Sequence, residues 1–321
     1  MMKKMKVLIA YDGSEFANAA IEDLKLAGLP KTGEALVMTV ADVFVPPPVN
    51  EEVDNTFPMY VPDSVRRAHQ RAQTKVEEAQ AIAGQASKKV KEMFPEWEVR
   101  HEALADSPAW ALVSKANQWK PDLLVVGDRG HSVLGGRLIL GSVSQRVLYE
   151  ASCSVRISRG RSRDANSPIR MLIGLDNSAN SNAAVDAVYG RDWPAGTEVR
   201  LLTVVDTVMA FPSDPADASM MKWIEVGEED NWDQVRQIFQ PSADKLRSAG
   251  LDVEVMIRRG NPKDEVIAEA ESWGADCIFV GAKGVRGIDR LLLGSVSAAV
   301  SARAPCSVEV VREAVSGLPQ N

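Results

Sequence analysis

Cysteine, histidine and aromatic residues are all scarce in this chain. Its 321 residues include three cysteines (Cys153, Cys277, Cys306), three histidines (His69, His101, His131) and only 6% aromatics. The cysteines are too few for a disulfide framework, and they show no C-x-x-C pair and no His-containing zinc spacing. The histidines are scattered and read as surface or second-layer residues rather than ligands. No apolar run reaches the roughly 18 residues of a membrane span. The run near the amino end, VLIA, is too short for a signal-peptide core. These absences make a cytoplasmic protein of a reducing compartment the expectation. The net charge of −7 offers no general surface to nucleic acid or to an anionic membrane, so an anionic ligand has to be held locally.

What is present is repetition. KVLIAYDGSEFANAAIEDL at 6–24 is echoed by RMLIGLDNSANSNAAVDAV at 170–188, and EALVMTVADV at 34–43 by EVRLLTVVDT at 198–207. KPDLLVVGDRG matches GADCIFVGAKG, and EASCSVRISRG matches RAPCSVEVVRE. A chain of this length suits two domains of about 150 residues each. The polar, Pro-terminated stretch SRGRSRDANSP (158–168) reads as the linker, giving domains at 1–160 and 168–313. The first copy carries about ten extra residues, best placed in the proline-rich segment at 43–63.

Within each copy, short β-branched runs alternate with helical patterns. Continuous apolar strands such as DLLVV and DCIFV indicate a parallel sheet buried on both faces. The expected architecture is α/β, with two tandem doubly wound sheets of five parallel strands. The fifth strands, CSVRIS and CSVEVV, are expected at sheet edges, which are a liability when exposed. Antiparallel pairing of the two, with Arg156 opposite Glu309, would give a pseudo-dimer within one chain. Dimerisation of whole chains is also plausible.

In such sheets, ligands sit beyond the carboxyl ends of the strands, where the strand order reverses. Two features of each copy point there. The first strand ends on Asp and a small turn, with Asp12 in YDGSE and Asp176 in LDNSA. The fourth ends in Gly-x-x-Gly and leads to Gly-Ser at a helix start: Gly127, Gly130, Gly141 and Ser142, then Gly281, Gly284, Gly294 and Ser295. Glycine lets backbone approach a phosphate closely, and free N–H groups at a helix start face an anion. Arg129, Arg137, Lys283, Arg286 and Arg290 add charge to the loops or form a solvated face. Neither G-x-x-x-x-G-K-[ST] nor G-x-G-x-x-G occurs. The glycines equally suit tight turns with nothing bound, and Asp12 and Asp176 equally suit helix N-caps.

Gly281-x-x-Gly284, nine residues, then Gly294-Ser295 resembles the nucleotide-binding signature of universal stress proteins; KVLIAYDGSE and PCSVEVV resemble that family's first and last strands. The resemblance spans nearly all of both copies, as in a tandem member. It implies sheets of order 3-2-1-4-5, ATP binding as in one branch of the family, and regulation rather than efficient turnover; because a helix dipole alone is worth only about 0.3–1 kcal/mol, Mg²⁺ is expected to help hold the phosphates. Carried onto the second copy, Asp176 adjoins the nucleoside, Val204 and Val205 meet adenine, and Gly281, Gly284, Gly294, Ser295, Val296 and Ser297 surround the phosphates. The matching residues of the first copy are Asp12, Val40, Ala41, Gly127, Gly130, Gly141, Ser142, Val143 and Ser144. There, ten residues rather than nine precede Gly141, so the extra one either bulges outward or displaces that glycine. The second copy is therefore the firmer expectation.

Trp119 and Trp273, at equivalent places, read as core rather than base-stacking residues. Cys153 and Cys306 read as small strand-start residues, not redox sensors. The same holds for Phe57, Tyr60, Met220, Met221 and Trp223, read as loop anchors. No catalytic constellation is visible. The alternative to an ATP-binding regulator is a stress-linked interaction scaffold that binds no nucleotide.

Overall fold

The computed structural model describes residues 4–43, 63–130, 140–160, 167–205, 232–283 and 293–313. The first copy runs β1 (Met5–Ala10), α1 (Glu15–Asp23, with a 3-10 turn at Leu24–Leu26), β2 (Gly33–Ala41), α2 (Asp63–Met93), β3 (Glu98–Ala105), α3 (Pro108–Trp119), β4 (Leu123–Gly127), α4 (Ser142–Glu150) and β5 (Ser154–Ser158). The second runs β6 (Arg170–Leu175), α5 (Ala179–Tyr189), β7 (Glu198–Val205), α6 (Trp232–Ser248), β8 (Asp252–Arg259), α7 (Pro262–Trp273), β9 (Cys277–Gly281), α8 (Ser295–Arg303) and β10 (Ser307–Val311). The proline-rich insertion at 44–62, most of the linker (161–166) and the stretch 206–231 lie outside the described residues, and with them Phe57, Tyr60, Met220, Met221 and Trp223.

Local sequence explains these elements. LLVVG of β4 and CIFVG of β9 are buried at every position, as strands covered on both faces must be. Helix α7 starts at Pro262 behind Asn261, whose side chain accepts from the Lys263 amide at 3.0 Å; proline suits that first position because its missing N–H would be unpaired anyway. The N-terminal ends of β1 and β6 are tied by matching carboxylates. Asp122 accepts from the Lys6 amide at 2.8 Å, and Asp276 from the Arg170 amide at 2.9 Å.

Each copy has the strand order 3-2-1-4-5, and the two join into one sheet: β3-β2-β1-β4-β5-β10-β9-β6-β7-β8. The join is the antiparallel pairing expected from the sequence, with Glu309 opposite Arg156, flanked by Val308–Ile157 and Val310–Val155. A near-twofold relation shows in the backbone contacts. The Arg159 amide donates to Ser307 Oγ at 2.9 Å, and the Arg312 amide to Ser154 Oγ at 3.1 Å.

The two faces of this seam differ. On one, Val155, Ile157, Val308 and Val310 belong to a single apolar core that crosses from copy to copy. On the other, Arg156 and Glu309 are fully buried and separate two apolar clusters. Arg156 donates to Asp23 at 2.7 Å and to Glu309 at 3.4 Å, while Arg191 donates to Glu309 at 2.9 Å and again through its second terminal nitrogen. Ser158 and Ser307 each reach Asp23 at 2.8 Å. Burial opposes the charge on Arg156, but Asp23, Cys277 and Glu309 outweigh it and hold its pKa well above the ordinary value.

Candidate functional site

Because β1 pairs with both β2 and β4, the ends of these three strands lie side by side at the carboxyl edge. A cleft of about 390 Å³ opens there in the first copy, within the range of small-molecule sites. Its lining includes Asp12, Val40, Ala41, Gly127, Gly130, Gly141, Ser142, Val143 and Ser144, together with Arg129. The contribution of one helix to the lining was not anticipated: α2 supplies Lys75, Glu78, Ala79 and Ile82. Its signal was the small-residue stripe Ala72, Ala79, Ala83 and Ala86, which is buried.

The turn after the first strand is the same in both copies. Asp12 Oδ1 accepts from the Ser14 amide at 2.9 Å, and Asp176 Oδ1 from the Ser178 amide at 3.0 Å. The residue between is left-handed in each, Gly13 at φ 83° and Asn177 at φ 62°, a conformation Asn tolerates better than most. The helix caps are the serines. Ser14 Oγ accepts from Ala17 and Ser178 Oγ from Ser181, both at 3.1 Å. The alternative reading of Asp12 and Asp176 as helix caps is thereby excluded, since each carboxylate closes the turn instead. The other oxygen of Asp12 faces Gly130, where a Cβ would stand only 2.8 Å from it.

The glycine loops also match. The Gly141 amide donates to Asp128 O at 2.8 Å and the Gly294 amide to Ala282 O at 2.7 Å. Ser144 Oγ donates to Gly127 O at 2.6 Å, and Ser297 Oγ to Gly281 O at 2.5 Å. The extra residue of the first copy therefore does not displace Gly141. The hydroxyls of Ser144 and Ser297, expected around phosphates, clamp the end of the fourth strand. Gly141 and Gly294 are the N-caps of α4 and α8 and offer no capping side chain. First-turn amides of both helices thus remain for an anion. Ser142 and Ser295 stay exposed beside them, with Val143 and Val296 half-buried.

In the second copy, Asp176, Val204, Val205, Gly281, Gly294, Ser295, Val296 and Ser297 occupy corresponding places; Gly284 lies outside the described residues, as do His131, Arg137, Arg286 and Arg290. The second x of each Gly-x-x-Gly is a cation. Arg129 lies with its guanidinium 5.1 Å from the centre of the Phe16 ring and 3.5 Å from Asp128. Arg129 Nε and Lys283 Nζ are buried without a hydrogen-bond partner. Tyr11, at the cleft wall, has its pKa raised by burial and by Asp12.

The tryptophans lie away from this edge, at the ends of α3 and α7. Lys6 stands 5.4 Å over Trp119, and Arg200 stands 4.4 Å over Trp273. Cys306 is buried and Cys153 half-buried, one residue before β10 and β5. Burial pushes the Cys153 thiol up to about 11. Among the described residues, no three His, Cys, Asp or Glu side chains cluster as metal ligands, and no helix is long and apolar enough to cross a membrane.

Comparison with known proteins agrees with this geometry. The model of the universal stress protein family matches residues 4–159 and again 169–312. A universal stress protein of Mycolicibacterium smegmatis is 26% identical over 318 residues, covering 95% of this chain and 96% of its own. The universal stress protein YxiE of Bacillus subtilis is 27% identical over 151 residues, 44% of this chain and 98% of its own. The crystal structure of a universal stress protein from Archaeoglobus fulgidus superposes with a TM-score of 0.57 at 20% identity, covering 97% of each chain, and so shares the fold. With both halves matched by the one family model, the chain belongs to the universal stress protein family, in tandem form.

Proposed function

We propose that this protein is an ATP-binding regulator of the stress response, with domains at 1–160 and 168–313 that each carry a nucleotide site. The observation that supports this most is the cleft itself. Nine residues scattered between Asp12 and Ser144 line one cavity of about 390 Å³. Backbone at Val40 and Ala41 lies beside the space an adenine edge would fill. Gly130 leaves room for phosphates beside Asp12, and the amides of Ser142, Val143 and Ser144 face them. Arg129 supplies positive charge.

The fit to a polyphosphate rests on two features: an uncapped helix start and a cation, Arg129, whose buried Nε makes no hydrogen bond and stands 3.5 Å from Asp128. A helix dipole alone contributes about 0.3–1 kcal/mol, whereas micromolar binding needs about 8 kcal/mol. Several donors and a metal must act together. Mg²⁺ is usually held by one or two carboxylates plus phosphate oxygens and water. Asp12 is the carboxylate placed for that role, and the ion would offset the charge it adds beside the phosphates. Held this way, ATP serves as a signal, with hydrolysis slow at most.

A scaffold that binds no nucleotide is the second reading, favoured by one observation. A Cβ on Gly281 would come within 2.6 Å of Asn180 backbone, so packing alone demands a glycine there. Nucleotide content separates the readings. Purified protein is denatured and the supernatant run on anion exchange, beside Gly130→Val and Gly294→Val variants. One or two equivalents of ATP in the wild type, reduced in the variants, would support the regulator. An empty wild type that also ignores added Mg-ATP would leave the scaffold.

A further inference from the structure

Several polar side chains of the first-copy cleft are already hydrogen-bonded within the protein. Tyr11 donates to Asn18 at 2.8 Å, Lys75 to Glu78 at 2.6 Å, and Ser144 to Gly127 O at 2.6 Å. Thr39 is different. It lines the cleft at the end of β2 and is only 4% exposed, yet its Oγ1 is buried with no hydrogen-bond partner. A buried hydroxyl left unpaired costs about 1–3 kcal/mol, and the large majority of buried side-chain polar atoms in proteins have a partner. Valine has nearly the same shape without that cost. The sequence nevertheless has threonine here and again at Thr203, the matching and equally buried position of β7.

We infer that the Thr39 hydroxyl is a ligand-contacting group that recognises the nucleoside part of the nucleotide, a role that rests on the nucleotide reading above. Position supports the nucleoside rather than the phosphates. Thr39 lies on β2, which β1 separates from β4; two strand spacings put it about 10 Å from the glycine loop. Strand alternation turns it to the α2 side of the sheet, with Val37, while Met38 and Val40 face the α3 side. Ala79 and Ile82 of α2 line the same cleft and offer no side-chain hydrogen bond. A base or sugar edge reaching this corner finds a hydroxyl that makes no hydrogen bond within the protein.

Calorimetric titration of wild type, Thr39→Val and Thr39→Ser, with Mg-ATP and separately with Mg-tripolyphosphate, tests the assignment. Thr39→Val should weaken ATP at one site per chain by roughly three- to tenfold, the worth of one hydrogen bond. Thr39→Ser should stay within about twofold, and tripolyphosphate should bind all three proteins alike. The melting temperature of unliganded Thr39→Val should equal or exceed that of wild type, because the hydroxyl has no internal partner to lose. Wild type and Thr39→Val with equal ATP affinity would overturn the role while leaving the nucleotide reading intact. So would a Thr39→Val protein that melts lower and loses ATP and tripolyphosphate in parallel. A wild type that binds no ATP would end the nucleotide reading, and this assignment with it.

Discussion

Arg156 and Glu309 stand opposite each other on β5 and β10, fully buried, at the one antiparallel pairing among the described strands. Two identical copies related by a true twofold would put Arg against Arg or Glu against Glu at this point. The chain instead writes one charge in each copy, so that the first half complements the second. Asp23 and Arg191 then balance the pair, one from each copy.

Arg156→Met should destabilise the protein by about 3–5 kcal/mol, because it leaves Asp23 and part of Glu309 buried without their cation. Urea unfolding followed by circular dichroism measures this. A loss under about 1 kcal/mol would mean that Arg191 and the serines around Asp23 suffice.

Gly281→Ala should cost about 1–3 kcal/mol through overpacking, since its Cβ would lie 2.6 Å from the Asn180 carbonyl carbon. Gly196→Ala is the matched control: it has φ 80° and nothing within 4 Å of the added Cβ, so only the left-handed strain of about 1–2 kcal/mol remains. Equal melting temperatures for Gly281→Ala and wild type would show that α5 gives way without cost.

Arg129→Ala should weaken Mg-ATP binding at one site and leave adenosine binding unchanged, as a cation beside the phosphates requires. Its stacking on Phe16 is preserved in Arg129→Lys only as a point charge, so that variant should fall between. Parallel loss of ATP and adenosine would instead mark Arg129 as a prop of the cleft wall.

Burial pushes the Cys277 thiol from its ordinary 9.0 up to about 12, against the pull of Arg156, whose guanidinium donates to its sulfur at 3.1 Å. The folded protein thus keeps a proton that the unfolded chain releases at lower pH. This contribution to stability is complete below about pH 9 and is lost as pH rises toward 12. Cys277→Ala should therefore show a shallower loss of stability between those limits than wild type. At pH 8, an alkylating reagent should leave Cys277 of the native protein unmodified, since the thiolate is the reactive form; rapid labelling would contradict the burial.

Much of this was legible from residues alone. Repetition of LIAYD and LIGLD, of TVAD and TVVD, and of Cys-Ser-Val marked two copies. Their apolar runs marked covered parallel strands, because a strand buried on both faces cannot alternate. The opposite charges at positions 156 and 309 even marked the seam, since like charges in direct register would repel. Less legible was which atom does what inside a turn. Asp12 and Ser14 are both favoured caps, and only the path of the backbone through Gly13 assigns the turn to one and the cap to the other. Ser144 likewise reads as a ligand contact until its hydroxyl is seen on Gly127 O.

Periodicity and glycine spacing are local properties of the chain, and they suffice for the family, the duplicated α/β pattern and the set of loops that meet at the carboxyl edge. Packing across the molecule is what brings α2 to the cleft, places a charged cluster in the core on one face of the seam but not the other, and leaves the hydroxyl of Thr39 without a hydrogen bond. Each of these depends on what lies across a gap from a residue many positions away, and no spacing along the chain encodes that.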